Sequence, residues 1–150
     1  MSDLRELYQT MILDHNKQPR NFRVPEHANR SAAGHNPLCG DRVTVHLRLE
    51  DGVVKDVGFQ GAGCAISTAS ASLMTQAIKG RSLAEVEKLF AAFHELVTSD
   101  PHGEIDESRV GKLAVLAGVR EYPVRVKCAT LAWHTLRAAI AGARQPVKTE

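Results

Sequence analysis

At 150 residues, with 43% apolar and 24% charged positions, the chain has the size and balance of one globular domain with a substantial core. A formal charge of only +2, with no basic stripe interleaved with aromatics, gives no footing for nucleic-acid binding. The longest run free of Asp, Glu, Lys and Arg, Val57 to Ile78, is too rich in Gly, Ser, Thr and Gln to read as a membrane span.

Met1-Ser2-Asp3-Leu4 is acidic and helix-like, unlike a secretory leader. Leu4, Leu7, Tyr8, Met11 and Ile12 recur at helical spacing behind a Ser2 or Asp3 cap, which predicts an opening amphipathic helix ended by Pro19. Arg20 to Pro37 mixes Pro, Asn, Gly and charge and reads as a long loop. Val43, Val45, Leu47 and Leu49 then alternate with Thr44, His46, Arg48 and Glu50, the period-two pattern of a half-buried strand. Asp51-Gly52 marks a tight hairpin turn, and Val53 to Gln60 returns as the antiparallel partner.

From Ala65 the small residues Ser67, Ala69, Ser70, Ala71 and Ser72 lead into Leu73, Met74, Ala77 and Ile78, a helix able to pack closely and ended by Gly80. Ser82-Leu83-Ala84-Glu85 is a capping box, followed by one apolar face of Leu83, Val86, Leu89, Phe90, Phe93 and Val97. Thr98 to Glu107 reads as an exposed loop, and Val110 to Ala117 as a short helix closed by Gly118. A last helix carries Cys128, Leu131, Ala132, Thr135, Leu136 and Ala139 on one stripe, with Cys128 at or near its start; from Gln145 the tail is polar and expected to fray.

Three cysteines carry the chemistry. They sit in Asn36-Pro37-Leu38-Cys39-Gly40-Asp41, Gly61-Ala62-Gly63-Cys64-Ala65 and Arg125-Val126-Lys127-Cys128-Ala129. Separated by 24 and 63 residues, and odd in number, they do not form a disulfide framework, which fits a reducing cytoplasm. Cys39 precedes one strand of the hairpin and Cys64 follows the other, so antiparallel pairing brings them together. Cys64 falls at a helix N-terminus, where the dipole favours a thiolate. Arg125 and Lys127, just before Cys128, offer it positive charge. With Asp41, the three thiols make four soft or borderline donors for one metal ion. On spacing alone two readings stand. A free cysteine usually packs as a small hydrophobe, and no short C-x-x-C pair is present; against that, all three lie at element boundaries. Asp41 also suits a turn before a strand, Arg125 and Lys127 a solvated face. A Cys–His nucleophilic pair with His35 lacks any oxyanion-forming motif.

On these same three motifs the chain resembles the iron–sulfur cluster assembly family of IscU, SufU and the N-terminal domain of NifU. Leu7-Tyr8 through Asp14-His15 and Pro19-Arg20-Asn21-Phe22 resemble the family opening, so the likeness spans nearly the whole chain. The resemblance implies an α+β fold in one compact domain, residues 1–150, with a small three-stranded antiparallel sheet packed against several helices. Its third strand would have to come from Asn29 to His35. It also implies Cys39, Asp41, Cys64 and Cys128 as ligands of zinc, or of a transient iron–sulfur cluster. Three departures point to the SufU branch: Lys127 where IscU has histidine, Tyr122-Pro123-Val124-Arg125 in place of the proline-proline-valine-lysine motif for a dedicated Hsp70, and extra residues at about 97–118. That branch implies a zinc-bound sulfur acceptor working with a SufS-type cysteine desulfurase and passing sulfur to downstream assembly or recipient proteins. Cys39 is then the first choice as acceptor and Cys128 the second, with Arg125 and Lys127 as electrostatic support. The alternative is a scaffold on which a cluster is assembled, and a third reading is a zinc that only stabilises the fold.

Overall fold

The alternating segment and the Asp51-Gly52 pair form a hairpin in the computed structural model, which describes residues 2–142 and 146–148. In chain order the elements are α1 (Ser2–Lys17), β1 (Arg30–Asn36), β2 (Asp41–Glu50), β3 (Val53–Ala62), α2 (Ala65–Ile78), α3 (Leu83–Thr98), two 3₁₀ segments (Glu107–Arg109 and Gly111–Glu121), α4 (Pro123–Ala141) and β4 (Val147–Lys148). The hairpin turn has positive φ at both Asp51 and Gly52 (54° and 72°), as its two-residue length requires.

The sheet order is β3-β2-β1-β4. β1, β2 and β3 pair antiparallel, which makes the expected three-stranded sheet, and Val147–Lys148 add a short parallel edge against Gly34 and His35. Two expectations change here. Arg30–Asn36, read as loop, is a strand, and Val147–Lys148, read as fraying tail, is paired; Gln145, Thr149 and Glu150 of that tail lie outside the described residues. β1 has no β-branched residue to announce it. It is a strand because its neighbours make it one: β2 pairs along its whole length, and α4 packs on it so closely that a Cβ on Gly34 would collide with Thr135 Oγ1.

Val43, Val45 and Leu47 of β2 face inward and are buried. In β3 the register shifts between Arg48 and Leu49, which face Asp56 and Val54. This bulge leaves Lys55 over, and so both Val54 and Val57 reach the core. α4 covers β1 and β2, and α2 lies against both α4 and α1. Ser67, Ala69, Ser70, Ala71 and Ser72 of α2 are all buried, small enough for close approach. Their hydroxyls find partners: Ser70 donates to the Ala129 carbonyl, and Ser72 Oγ is 2.6 Å from His15 Nδ1 and accepts from Arg20 N–H at 2.8 Å.

The α3 face forms as its spacing predicts. Val86, Phe90, Phe93 and Val97 are buried, and Phe93 stacks on Trp133 of α4 with centroids 4.8 Å apart. On α1, Tyr8, Met11 and Ile12 are partly buried against the core, but Leu7 is 54% exposed. The side chains of residues 1–5, with the expected cap and Leu4, lie outside the described set. The segment expected to close at Gly118 runs on to Glu121 as 3₁₀, with Gly118 exposed among buried neighbours. Among the described residues no helix is long and apolar enough to cross a membrane.

Both halves of the capping box are present: Glu85 N–H donates to Ser82 Oγ at 3.2 Å, and Ser82 N–H to Glu85 Oε1 at 3.1 Å. Ser82→Ala removes one of the two and should lower stability by about 1 kcal/mol, read as a shift of the urea midpoint at constant slope. An unchanged midpoint would show that α3 is held by its packing alone.

Candidate metal centre

The site lies where the β1–β2 turn, the β3–α2 junction and the second turn of α4 meet. Asn36 is fully buried and organises the turn: its Oδ1 accepts from Leu38 N–H at 3.1 Å and its carbonyl from Gly40 N–H at 2.8 Å. Gly40 has φ +73°, a left-handed conformation that reverses the chain between Cys39 and Asp41 at little cost for glycine. Cys39 is left exposed on this turn.

Asp41 shares the inward face of β2 with Val43, Val45 and Leu47, because alternate residues of a strand point the same way. Its carboxylate is therefore fully buried. It has no ion-pair partner among the described residues, an expensive state for a charge unless a cation is nearby. Asp41 Oδ1 accepts from Cys64 N–H at 2.8 Å, and Oδ2 lies 3.7 Å from Cys64 Sγ.

Cys64 is the N-cap of α2, and its sulfur accepts from Ser67 N–H at 3.4 Å, as a helix N-terminus favours for an anionic ligand. The approach of the β3–α2 junction to Asp41 depends on Gly63, since a Cβ there would stand 2.5 Å from Asp41 Oδ1. Gly63→Ala should thus weaken metal binding by about 10–100-fold, the usual effect of disturbing a ligand's support, as read by competition with a chromophoric chelator. Equal affinity in the variant would mean that Asp41 is not held by this contact.

Cys128 is the sixth residue of α4, one turn inside the helix that Pro123 begins, and only 2% exposed. Its sulfur is 3.3 Å from Cys39 Sγ, and Asn36 Nδ2 stands 3.6 Å from it. Burial, followed by the hydrogen bonds with Asp41 and Cys39, pushes the Cys128 thiol well above its ordinary value. The exposed Arg125 guanidinium sits over the Tyr122 ring at 4.9 Å, and Lys127 is half-buried.

Of the four residues picked from the sequence, Cys39, Asp41 and Cys128 bring a ligand atom each within 4.8 Å of one another. Cys64 stands outside that set and joins it through Asp41. Four-coordinate zinc with sulfur at about 2.3 Å spaces its ligand atoms about 3.8 Å apart. The 3.3 and 3.7 Å separations lie close to that spacing, so the donor set fits such an ion. Asn36 is the residue that sequence reading left without a role. An Asn before a turn was visible, but its contact with Cys128, 92 residues away, was not.

A family profile described as the NifU-like N terminal domain matches residues 7–129. The chain is 39% identical over 142 residues to a zinc-dependent sulfurtransferase SufU of Bacillus subtilis, covering 93% of both chains. It is 37% identical over 140 residues to an iron-sulfur cluster assembly scaffold protein IscU of Thermotoga maritima, covering 93% of this chain and 96% of that one. Among solved structures, it is similar to a putative iron-sulfur cluster assembly scaffold protein for the SUF system from Fervidobacterium islandicum. That match has a TM-score of 0.78 at 33% identity, over 87% of this chain and 93% of the other.

Proposed function

This chain belongs to the NifU-like N-terminal domain family, which includes IscU and SufU, and we propose that it serves iron–sulfur cluster biogenesis as a zinc-bound acceptor of sulfur from a SufS-type cysteine desulfurase. Cys39, Asp41, Cys64 and Cys128 would hold the zinc, which supplies there a positive charge that keeps thiols deprotonated. The observation that carries the reading is the difference between the two close thiols: Cys39 is exposed on a turn, whereas Cys128 is 2% exposed. A desulfurase persulfide reaches only the first. The Cys39 thiolate attacks the outer sulfur of that persulfide, a new S–S bond forms on Cys39, and the desulfurase cysteine leaves as a thiolate. Exposed Arg125 and half-buried Lys127 lend positive charge near the anionic groups that meet there. The segment at about 97–118 is read as the SufU-type insertion, and the cytoplasm as the place of action.

The test is a single turnover with desulfurase and cysteine, without reductant, trapped early with an alkylating reagent and mapped by mass spectrometry. Extra sulfur on the Cys39 peptide is the expected result. Its arrival chiefly on Cys128 would overturn the assignment and favour an IscU-like route. The second reading, a scaffold for a cluster, is favoured by the IscU relative and by a donor set that suits iron as well as zinc. Iron–sulfur absorbance that persists after anaerobic reconstitution, and is lost in Cys64→Ser, would support it.

A further inference from the structure

We propose that the outer face of the sheet carries a binding site for a small dicarboxylate, separate from the metal centre and independent of the sulfur-acceptor reading. α4 covers the inner face of β1 and β2. The opposite face holds a groove of about 450 Å³, within the usual size of a small-molecule site. Alternation along β2 divides the two sites: Asp41 points inward to the metal centre, and Arg42 beside it points outward into the groove. Strand register then sets the polar lining in two rows. His35 and Arg42 are cross-strand partners in one, and Thr44 and Gln60 in the other. Ala33, opposite Thr44, adds only a methyl to the second row, and Pro146, just before β4, also lines the groove.

The chemistry of the lining selects an anion. Its polar side chains can all donate hydrogen bonds, and no Asp or Glu lines it. Arg42 is exposed and belongs to no ion pair among the described residues. Its guanidinium is a planar fork that matches a carboxylate with two parallel hydrogen bonds. His46 Nε2 stands 3.3 Å from Gln60 Oε1, which leaves the Gln60 amide nitrogen as the donor on offer. The spacing of the rows selects among anions. Arg42 and Thr44 are two residues apart on an extended strand, about 7 Å. A single carboxylate or phosphate does not touch both rows at once, whereas two carboxylates joined by a short methylene chain do. One carboxylate then sits on Arg42 beside His35, and the other accepts from the Thr44 hydroxyl and the Gln60 amide.

The experiment titrates the full-length, isotope-labelled protein as purified with succinate, propionate and inorganic phosphate in turn, at about 0.1 M ionic strength, and follows amide shifts by NMR. Succinate should give saturable shifts at Arg42, Thr44, Gly61 and the Gln60 side-chain amide, with a dissociation constant below about 1 mM. Propionate, which offers one carboxylate, should bind at least about tenfold more weakly. Arg42→Gln should weaken succinate by about tenfold or more, and Thr44→Val by a smaller factor. Lys88→Gln removes the same charge from an exposed position on α3 and should leave the affinity unchanged. Metal content and circular dichroism of each variant separate a lost groove from a lost fold. Should Arg42→Gln lose its metal, Thr44→Val and the comparison with propionate decide. Shifts that grow without saturating, or equal weakening by Lys88→Gln, overturn the site. Propionate or phosphate binding as tightly as succinate overturns its two-row geometry. Each of these results leaves the reading of Cys39 as sulfur acceptor untouched.

Discussion

Cys39→Ser is expected to abolish sulfur acceptance, lowering persulfide formation and desulfurase stimulation by about a hundredfold or more, while the fold remains intact. The nucleophile is a thiolate, and a serine hydroxyl neither ionises near neutrality nor exchanges with a persulfide. The structure separates this loss from unfolding. Cys39 is exposed on a turn held by Asn36, and the contacts that hold the turn are backbone and amide hydrogen bonds that serine leaves untouched. In metal-free protein the substitution should therefore shift stability by no more than about 0.5 kcal/mol, as for other surface changes. Cys128→Ser acts on a side chain buried between β1 and α4 and should cost more stability. The decisive measurements are initial rates of cysteine desulfuration with each variant, beside circular dichroism spectra. Persistence of full stimulation with Cys39→Ser would move the acceptor elsewhere.

The parts of the fold legible in the sequence are those in which local pattern and tertiary environment agree. β2 shows period-two alternation because one face meets α4, and the capping box of α3 is written in four consecutive residues. β1 was hidden because Arg-Ser-Ala-Ala-Gly-His-Asn has neither alternation nor β-branching. Its smallness, which spoke for a loop, is what lets Thr135 of α4 settle onto Gly34. The 3₁₀ run through Gly118 was missed in the same way, since a solvent-facing glycine inside a buried segment looks locally like a terminator. On α1 the helical spacing was right, but the innermost place goes to His15, bonded to Ser72, and Leu7 is left outside.

Topology brings the two ends of a hairpin together, and Cys39 and Cys64 flank one; in the structure Cys64 reaches the cluster through Asp41, whereas the sulfur 3.3 Å from Cys39 is that of Cys128, which no hairpin argument places. What no local pattern carries is the depth of each donor. Asp41 and Cys128 are buried and Cys39 and Cys64 exposed, and this follows from which face of β2 and which turn of α4 each occupies. That difference sets the two exposed thiols, Cys39 and Cys64, apart from the sealed Cys128.

Removing the metal from the purified protein should lower its melting temperature by on the order of 10 °C or more without unfolding it at room temperature. Asp41 is a wholly buried carboxylate with no ion-pair partner among the described residues, beside three sulfurs. A bound divalent cation offsets the cost of burying it, and structural zinc is worth roughly 10–16 kcal/mol of apparent binding free energy at neutral pH. Part of that is recovered on removal, because the thiols take up protons; Cys128, pushed upward by burial, holds its proton readily. A net loss of a few kcal/mol remains, and each is worth about 2–4 °C in a domain of this length. The fold survives because the Phe93–Trp133 stack and the valines of β2 and β3 bury their surface independently of the metal ligands. Scanning calorimetry with and without a strong chelator reads the shift, and far-ultraviolet dichroism at room temperature should stay unchanged. Asp41→Asn is the sharper probe: it keeps an oxygen to accept from Cys64 N–H but removes the charge. If Asp41 binds a cation, the variant should contain less metal and its melting should respond little to chelator. An identical melting temperature for wild type before and after complete chelation would mean that the buried carboxylate is stabilised by the protein alone.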